Sequence, residues 1–199
     1  LALLEALRRS ADRMVVFCQA GRIAIPPKQL LLSNLEDSVI QVHSPRTGGV
    51  FHPKVWVLRL KPQSPESNDP IVYRLICASR NITFDRSWDT VVILDGNVSN
   101  HPRSLKVNRP LAEFVRQLPG LAARSTGEEA TRRAADLTSV IVEEIQRVEF
   151  ERPEGFDEFR FWPIGMDDET TWPFGDWIDR LAVVSPFLSD RFLKEIADQ

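Results

Sequence analysis

A histidine and a lysine two residues apart are the side chains of this sequence best suited to phosphoryl chemistry. His52 and Lys54 follow the pair Gly48-Gly49 and lead into the strand-forming run Val55–Leu60. On an extended strand, side chains two residues apart point to the same face. An imidazole can attack phosphorus, and an ammonium can hold the phosphate oxygens. By itself the pair is a weak signal, because a solvent-facing His beside a surface Lys has the same spacing.

A second group of polar residues follows the next strand-like run, residues 71–78. The last residue of this run and the three that follow it are Ala-Ser-Arg-Asn, at positions 78–81. A small residue, a hydroxyl and an amide at a strand end form a pocket rich in hydrogen-bond donors, which suits a phosphate. Asn81 alone would fit a turn or a cap equally well. We expect the side-chain ends of His52, Lys54 and Asn81 to lie roughly 4–7 Å apart, as phosphate binding requires.

Together these two segments resemble the H-x-K and G-S-x-N-like motifs of the phospholipase D superfamily. The motif residues His, Lys, Gly, Ser and Asn correspond to His52, Lys54, Ala78, Ser79 and Asn81. Ala therefore replaces Gly, and Asp89 falls near an acidic position that is often found in the following strand. The resemblance covers residues 1–120 well and residues 181–199 weakly. It implies a phospholipase D-like half-domain of the α/β class.

Two features depart from the family pattern. The fuller motif has an Asp where this chain has Arg59. The tyrosyl-DNA phosphodiesterase branch of the family also lacks that Asp. The difference therefore indicates a divergent, nuclease-like branch. Family active sites usually combine two H-x-K units, whereas His43 and His101 lack a Lys two residues on. We expect the second unit to come from sequence beyond Gln199 or from a homodimer mate. Continuation is favoured, because residues 181–197 resemble the start of a new unit. The first residue is Leu1 rather than Met, so we expect the sequence to be a fragment.

The resemblance implies phosphodiester cleavage through a phosphohistidine, without a metal or another cofactor. His52 would be the nucleophile and a partner His the general acid. Lys54 would offset the phosphate charge, and Asn81 would donate hydrogen bonds to it. These three residues are the expected catalytic group, with Ser79 and Arg80 as expected substrate-binding residues. The alternative is a non-catalytic binding or scaffold module of a larger DNA-processing or defence protein.

Charge distribution bears on the substrate. Residues 1–110 carry 15 Lys and Arg against 9 Asp and Glu, whereas residues 111–199 carry 10 against 19. The basic front half suits a nucleic-acid backbone. Arg46, Arg80 and Arg86 could extend the site toward a polyanion. Ordinary scatter of surface charge would give the same excess of basic residues. Phospholipid headgroups stay possible, but no basic amphipathic membrane helix is evident. Trp56 and Trp88 flank the motifs and are predicted to be core residues.

Composition places the chain among globular proteins, with 43% hydrophobic and 27% charged residues in 199. No apolar run is long enough to span a bilayer. Cys18 and Cys77 each lie in an apolar, strand-like run and are predicted to be buried free thiols. Free thiols indicate a reducing, cytoplasmic compartment.

The pattern of apolar runs predicts one mixed sheet flanked by helices. Strands are expected near 14–18, 39–43, 54–60, 71–78 and 90–94, and helices near 1–11 and 109–118. Asp95-Gly96 is predicted to be a turn, Asn108 a helix cap, and Thr126 with Glu129 a capping box. Residues 121–180 are expected to be a helical and acidic linker, and residues 181–199 the start of a second half-domain, with a strand at 181–185 and a helix at 187–197.

Overall fold

The computed structural model describes residues 5, 9–23, 38–64, 66–81, 86–101, 104–166, 179–182 and 190–197. The strands of this part are Val16–Gln19 (β1), Val39–Val42 (β2), Val55–Leu60 (β3), Val72–Ala78 (β4), Val91–Val98 (β5) and Val148–Phe150 (β6). The α-helices are Arg109–Gln117 (α1), Glu128–Ile145 (α2) and Asp190–Ala197 (α3), and short 3-10 helices cover Ala11–Arg13, Lys106–Asn108 and Leu118–Leu121.

The strands form two separate sheets. β1 and β2 pair in parallel, while β3, β4, β5 and β6 form an antiparallel sheet in chain order. The α/β class is confirmed, but the prediction of one mixed sheet is wrong. The outer edge of β2 is occupied instead by the segment after α1, since His43 N–H donates to Leu121 O at 3.0 Å and Ala123 N–H donates to Gln41 O at 2.7 Å. A strand edge that is already paired cannot accept β3.

Two hydrophobic clusters hold the sheets to the same helices. One face of the β3–β6 sheet packs on α1 and α2, and its buried residues include Tyr73, Leu75, Leu94, Val115 and Ile145. The second cluster joins β2 to Phe51 and to residues of the helical segment, and its buried residues are Ile40, Val42, Phe51, Leu118 and Ala134. Each large apolar side chain buried in this way contributes about 2 kcal/mol. Phe114 borders both clusters, so α1 connects the two sheets.

The opposite face of the β3–β6 sheet is largely exposed in the part that the structure describes. Trp56, Leu60, Val91 and Ile93 lie on this face and are between 45% and 53% exposed. The expected packing of a helix near 109–118 on the sheet is confirmed. The helix expected near 1–11 falls mostly outside the described residues.

β5 runs straight through the predicted turn at Asp95-Gly96. Asp95 pairs across the sheet with Arg74, whose Nε lies 2.7 Å from Oδ1. A Cβ at Gly96 would lie 2.6 Å from Glu149 O and 2.8 Å from the Cα of Phe150. The glycine is therefore needed because β6 approaches closely, and the turn prediction is wrong.

The two predicted helix caps are also wrong. Asn108 is buried and donates from Nδ2 to Ile145 O at 2.9 Å and to Val148 O at 2.7 Å, so it ties the start of α1 to the end of α2. α2 begins after Gly127 without a side-chain cap. The hydroxyl of Thr126 instead donates to Gln41 O at 3.4 Å, because the chain there lies beside β2.

The segment after residue 120 shares the core with the earlier strands. α2 packs on β4 and β5, and β6 extends the sheet at β5. The division into half-domains at residues 120 and 181 stays a prediction. Most of the acidic loop expected at 166–171 and most of the strand expected at 181–185 lie outside the described residues, and the expected final helix is described from Asp190 onward. Among the described helices, none has both the length and the apolar composition to cross a bilayer.

Candidate functional site

The two motifs meet where β3 begins and β4 ends. The antiparallel register pairs Val55 with Cys77, and Ala78 N–H donates to Lys54 O at 2.9 Å. Residues 79–81 therefore leave β4 beside the residues that lead into β3. This placement follows from the hairpin alone, because an antiparallel pair brings the start of one strand to the end of the next.

The side chains of His52 and Lys54 are in direct contact. Lys54 Nζ lies 2.9 Å from Nδ1 and 3.2 Å from Nε2 of the His52 ring, and it also donates to His52 O at 3.1 Å. In a neutral imidazole one ring nitrogen carries a proton and the other a lone pair, so the ammonium can donate to only one of the two, and the tautomer decides which. His52 is exposed, whereas Lys54 is half-buried, and this burial lowers the pKa of its ammonium. The pair can thus present a nucleophilic nitrogen and a positive charge at one point.

Ser79 is held by Asp89 across the end of the sheet. Its hydroxyl donates to Asp89 Oδ1 at 2.5 Å, its N–H donates to the same oxygen at 3.1 Å, and its Oγ accepts the N–H of Thr90 at 3.0 Å. The hydroxyl hydrogen bond is the main cause of the lowered pKa of Asp89, and the N–H groups of Ser79, Arg80 and Thr90 add to it. Because a hydroxyl has one proton to donate, Ser79 in this arrangement fixes the strand end rather than facing a ligand.

The other two expected site residues follow Ser79. Asn81 is exposed, and the structure records no hydrogen bond from it to His52 or Lys54 in the described part. Arg80 is half-buried, and its N–H contributes to the lowered pKa of Asp89. The convergence of the His52, Lys54 and Asn81 side-chain ends stays a prediction.

Sequence reasoning missed two residues that position His52. Phe51 is buried in the cluster around β2, and its N–H donates to Gln19 Oε1 at 2.6 Å. His52 therefore follows directly on a residue fixed by both packing and a hydrogen bond. Gln19 could have been found as the polar residue that ends the apolar run of β1, since such residues often hydrogen-bond a neighbouring loop.

Arg59, at the position of the family Asp, points away from the site. Arg59 lies five residues after Lys54, so its side chain is on the opposite face of the sheet. There its Nε donates to Glu144 Oε2 at 2.5 Å, and the Tyr73 hydroxyl donates to the same oxygen at 2.7 Å. Burial tends to raise the pKa of Glu144, but the hydrogen bonds from Arg59 and Tyr73 outweigh it and lower the pKa. Arg59 is thus a structural residue that joins β3 to α2.

Several residues near the site are more exposed than predicted. Trp88 is 96% exposed and Trp56 45%, so their prediction as core residues is wrong. Trp88 lies in the connection between β4 and β5, and Trp56 lies on the exposed sheet face. Cys18 and Cys77 are free thiols as predicted, but Cys77 is exposed and Cys18 only half-buried. Burial raises the pKa of the Cys18 thiol.

In the described part of the chain, no three His, Cys, Asp or Glu side chains are grouped closely enough to hold a metal ion. Comparison with protein-family profiles, curated proteins and solved structures found no match to this chain. A functional assignment therefore depends on the chemistry of the two motifs and of the surfaces next to them.

Proposed function

We propose that this chain is a phospholipase D-like half-domain that supplies one half of a phosphodiesterase site acting on nucleic-acid phosphodiesters. The observation that carries the proposal is the contact between the Lys54 ammonium and the His52 ring, 2.9 Å from Nδ1, at the strand end that pairs with Ala78. A nucleophilic nitrogen beside a cation, next to a donor-bearing strand end, is the arrangement that phosphoryl transfer needs.

The proposed reaction has two displacement steps at phosphorus. The lone pair of a His52 ring nitrogen forms the P–N bond while the bond from phosphorus to the leaving oxygen breaks, and a histidine of the second H-x-K unit protonates that oxygen. Water then attacks phosphorus, gives its proton to the same histidine and breaks the P–N bond. Lys54 turns from the ring to the phosphate oxygens, and Asn81 donates to them. Ser79 acts as a positioning residue held by Asp89.

Two observations support nucleic acid as the substrate class. The first 110 residues carry an excess of six basic over acidic residues, 15 against 9. Trp88 exposes 96% of its surface one residue before Asp89, and an exposed indole beside a phosphate site suits base stacking.

The free thiols of Cys18 and Cys77 fit a cytoplasmic protein. The second H-x-K unit comes from a further part of the same protein or from a second copy of the chain.

A covalent intermediate gives a direct test. The protein expressed from its complete gene is mixed with an oligonucleotide carrying a radiolabelled scissile phosphate, quenched in alkali and separated under denaturing conditions. We expect label that is stable in alkali and released by acid, as for phosphohistidine, and we expect none in His52→Ala. His101→Ala, which changes an exposed histidine outside the site, is the matched control.

A second candidate is a binding module without catalysis. It is favoured by the Ser79 hydroxyl, whose proton is already engaged by Asp89, and by the presence of a single H-x-K unit in 199 residues. This alternative is supported if the complete protein binds oligonucleotides through Lys54 but forms neither labelled intermediate nor product.

A further inference from the structure

A concave surface lies outside the two motifs. It is a cleft of about 510 Å³ between the end of β2 and the loop that connects the last 3-10 helix to α2. Its polar lining residues are His43, Ser44, Arg124 and Ser125, and residues 120–123 complete the lining. Neither His52 nor Lys54 lines it, so the cleft is distinct from the two motifs.

The chemistry of the cleft is that of an anion site. It combines a guanidinium, an imidazole and two hydroxyls, and the described residues that line it include no Asp or Glu. Arg124 is exposed and forms no ion pair with any described residue, whereas Arg116 on the nearby helix pairs with Glu113. A guanidinium that is not neutralised by a carboxylate, in a cleft that also contains hydroxyl donors, is chemically suited to a phosphate.

The two walls of the cleft are fixed to each other. His43 N–H donates to Leu121 O at 3.0 Å, and Ala123 N–H donates to Gln41 O at 2.7 Å. Val42 and Ala122 form an antiparallel bridge between these hydrogen bonds. Because both walls are held by backbone hydrogen bonds, the site requires little ordering when a ligand binds.

The cleft lies a short distance along the chain from His52. Gly49 packs against the Ser44 side chain, and its N–H donates to Arg46 O at 2.9 Å. Gly49 and His52 are three positions apart in the sequence, and three residues span at most about 11 Å, so one extended strand of nucleic acid can reach from the cleft toward His52.

We infer that the cleft binds a flanking phosphate of the same strand whose scissile phosphate lies at His52. This inference rests on the proposed function and narrows it. A strand with several phosphodiesters can occupy both sites at once, whereas a phospholipid headgroup with one phosphodiester cannot. The cleft thus selects a polyphosphodiester substrate.

The test compares single-stranded DNA of two and of eight nucleotides, each labelled with fluorescein, by fluorescence anisotropy over a range of salt concentrations. Arg124→Gln removes the cleft charge, and Ser125→Glu opposes an anion in the same place. Arg132→Gln is the matched control, because Arg132 is an exposed arginine on α2 that does not line the cleft. Circular dichroism checks that each variant is folded.

We expect Arg124→Gln to weaken binding of the eight-nucleotide strand by about 5–10-fold and to lower the salt slope by about 0.7, as for one lost phosphate contact on a single strand. Ser125→Glu should weaken it further, and neither change should affect the dinucleotide. The inference is overturned if Arg124→Gln binds like Arg132→Gln, if both lengths lose affinity equally, or if the eight-nucleotide strand does not bind.

The same variants separate this inference from the proposed function. If the eight-nucleotide strand binds through Arg124 but the complete protein has no phosphodiesterase activity, the cleft is an anion site and the proposed function fails. If a dinucleotide is cleaved in a His52-dependent reaction and Arg124 has no effect on the longer strand, the proposed function stands and the cleft inference fails.

Discussion

The Ser79 hydroxyl donates a 2.5 Å hydrogen bond to Oδ1 of Asp89, which joins the end of β4 to the residues that begin β5. The same carboxylate oxygen also accepts the Ser79 N–H at 3.1 Å. This pair closes the chain around the strand end that lies beside Lys54. Residues 79–81 are therefore held beside Lys54 by this exposed carboxylate together with two backbone hydrogen bonds of 2.9 Å, from Ser79 N–H to Thr90 O and from Ala78 N–H to Lys54 O.

We expect Asp89→Asn to loosen this closure. A neutral amide is a weaker acceptor than a carboxylate, so the N–H groups of Ser79 and Thr90 should exchange faster with deuterium. The pKa of Asp89 is lowered in the folded state, so the closure is present above the unfolded value near 3.8 and is lost as pH falls through the folded value. Hydrogen exchange measured by mass spectrometry checks this. Asp136→Asn, on the exposed surface of α2, should leave the exchange of residues 79–90 unchanged; equal exchange in both variants would argue against the closure.

We expect Glu144→Gln to destabilise the fold by about 2 kcal/mol at pH 7, because it weakens a half-buried group of hydrogen bonds with Arg59 and Tyr73. The pKa of Glu144 is lowered in the folded protein, so its stabilising effect is complete above the unfolded value near 4.5 and declines as pH falls through the folded value. The difference from wild type should therefore shrink in acid. Urea denaturation of both proteins at pH 7 and in acid measures this difference in the free energy of unfolding.

Glu143→Gln provides the control for this measurement, because Glu143 is exposed on the same helix and takes no part in the Arg59 contact. It should change the free energy of unfolding by less than about 0.5 kcal/mol. An equal loss in both variants, or a loss from Glu144→Gln that does not change with pH, would show that the contact between β3 and α2 has been assigned incorrectly.

We expect Trp88→Ala to weaken binding of single-stranded DNA by at least about 5-fold, because stacking of one base on an aromatic side chain contributes about 1–3 kcal/mol. The thermal midpoint of unfolding should hardly move, since the indole is 96% exposed. Trp162→Ala, which removes a half-exposed indole far along the chain, should leave binding unchanged. Anisotropy titration and thermal denaturation are the two measurements. A large loss of stability without a change in affinity would mean that Trp88 is a packing residue.

The parts of the fold that could be predicted are those that depend on neighbouring sequence. The antiparallel order of β3, β4 and β5 follows from three strand-like runs that succeed one another in the chain, and it brings Lys54 beside Ala78 without further information. The contact of His52 with Lys54 likewise follows from a spacing of two residues.

The errors arise where distant segments compete for the same partner. The edge of β2 pairs with residues 121–123 instead of β3, and the approach of β6 keeps Gly96 in a strand although its local sequence is typical of a turn. Asn108 bonds to the end of α2 rather than capping α1. The cleft could not be predicted at all, because His43 and Arg124 are eighty-one positions apart in the sequence and meet only through that β2 pairing.

The most direct measurement is a phosphodiesterase assay in the presence of a chelator, with the protein expressed from its complete gene and with the 199-residue chain alone. We expect the complete protein to cleave phosphodiesters without added metal, and we expect His52→Ala to lower the rate by about a thousandfold while His101→Ala leaves it unchanged. The isolated chain as a monomer should bind phosphate weakly and turn over negligibly, because one H-x-K unit cannot both attack phosphorus and protonate the leaving oxygen. Undiminished cleavage by His52→Ala, activity that the chelator abolishes, or robust cleavage by the monomeric chain would contradict the mechanism.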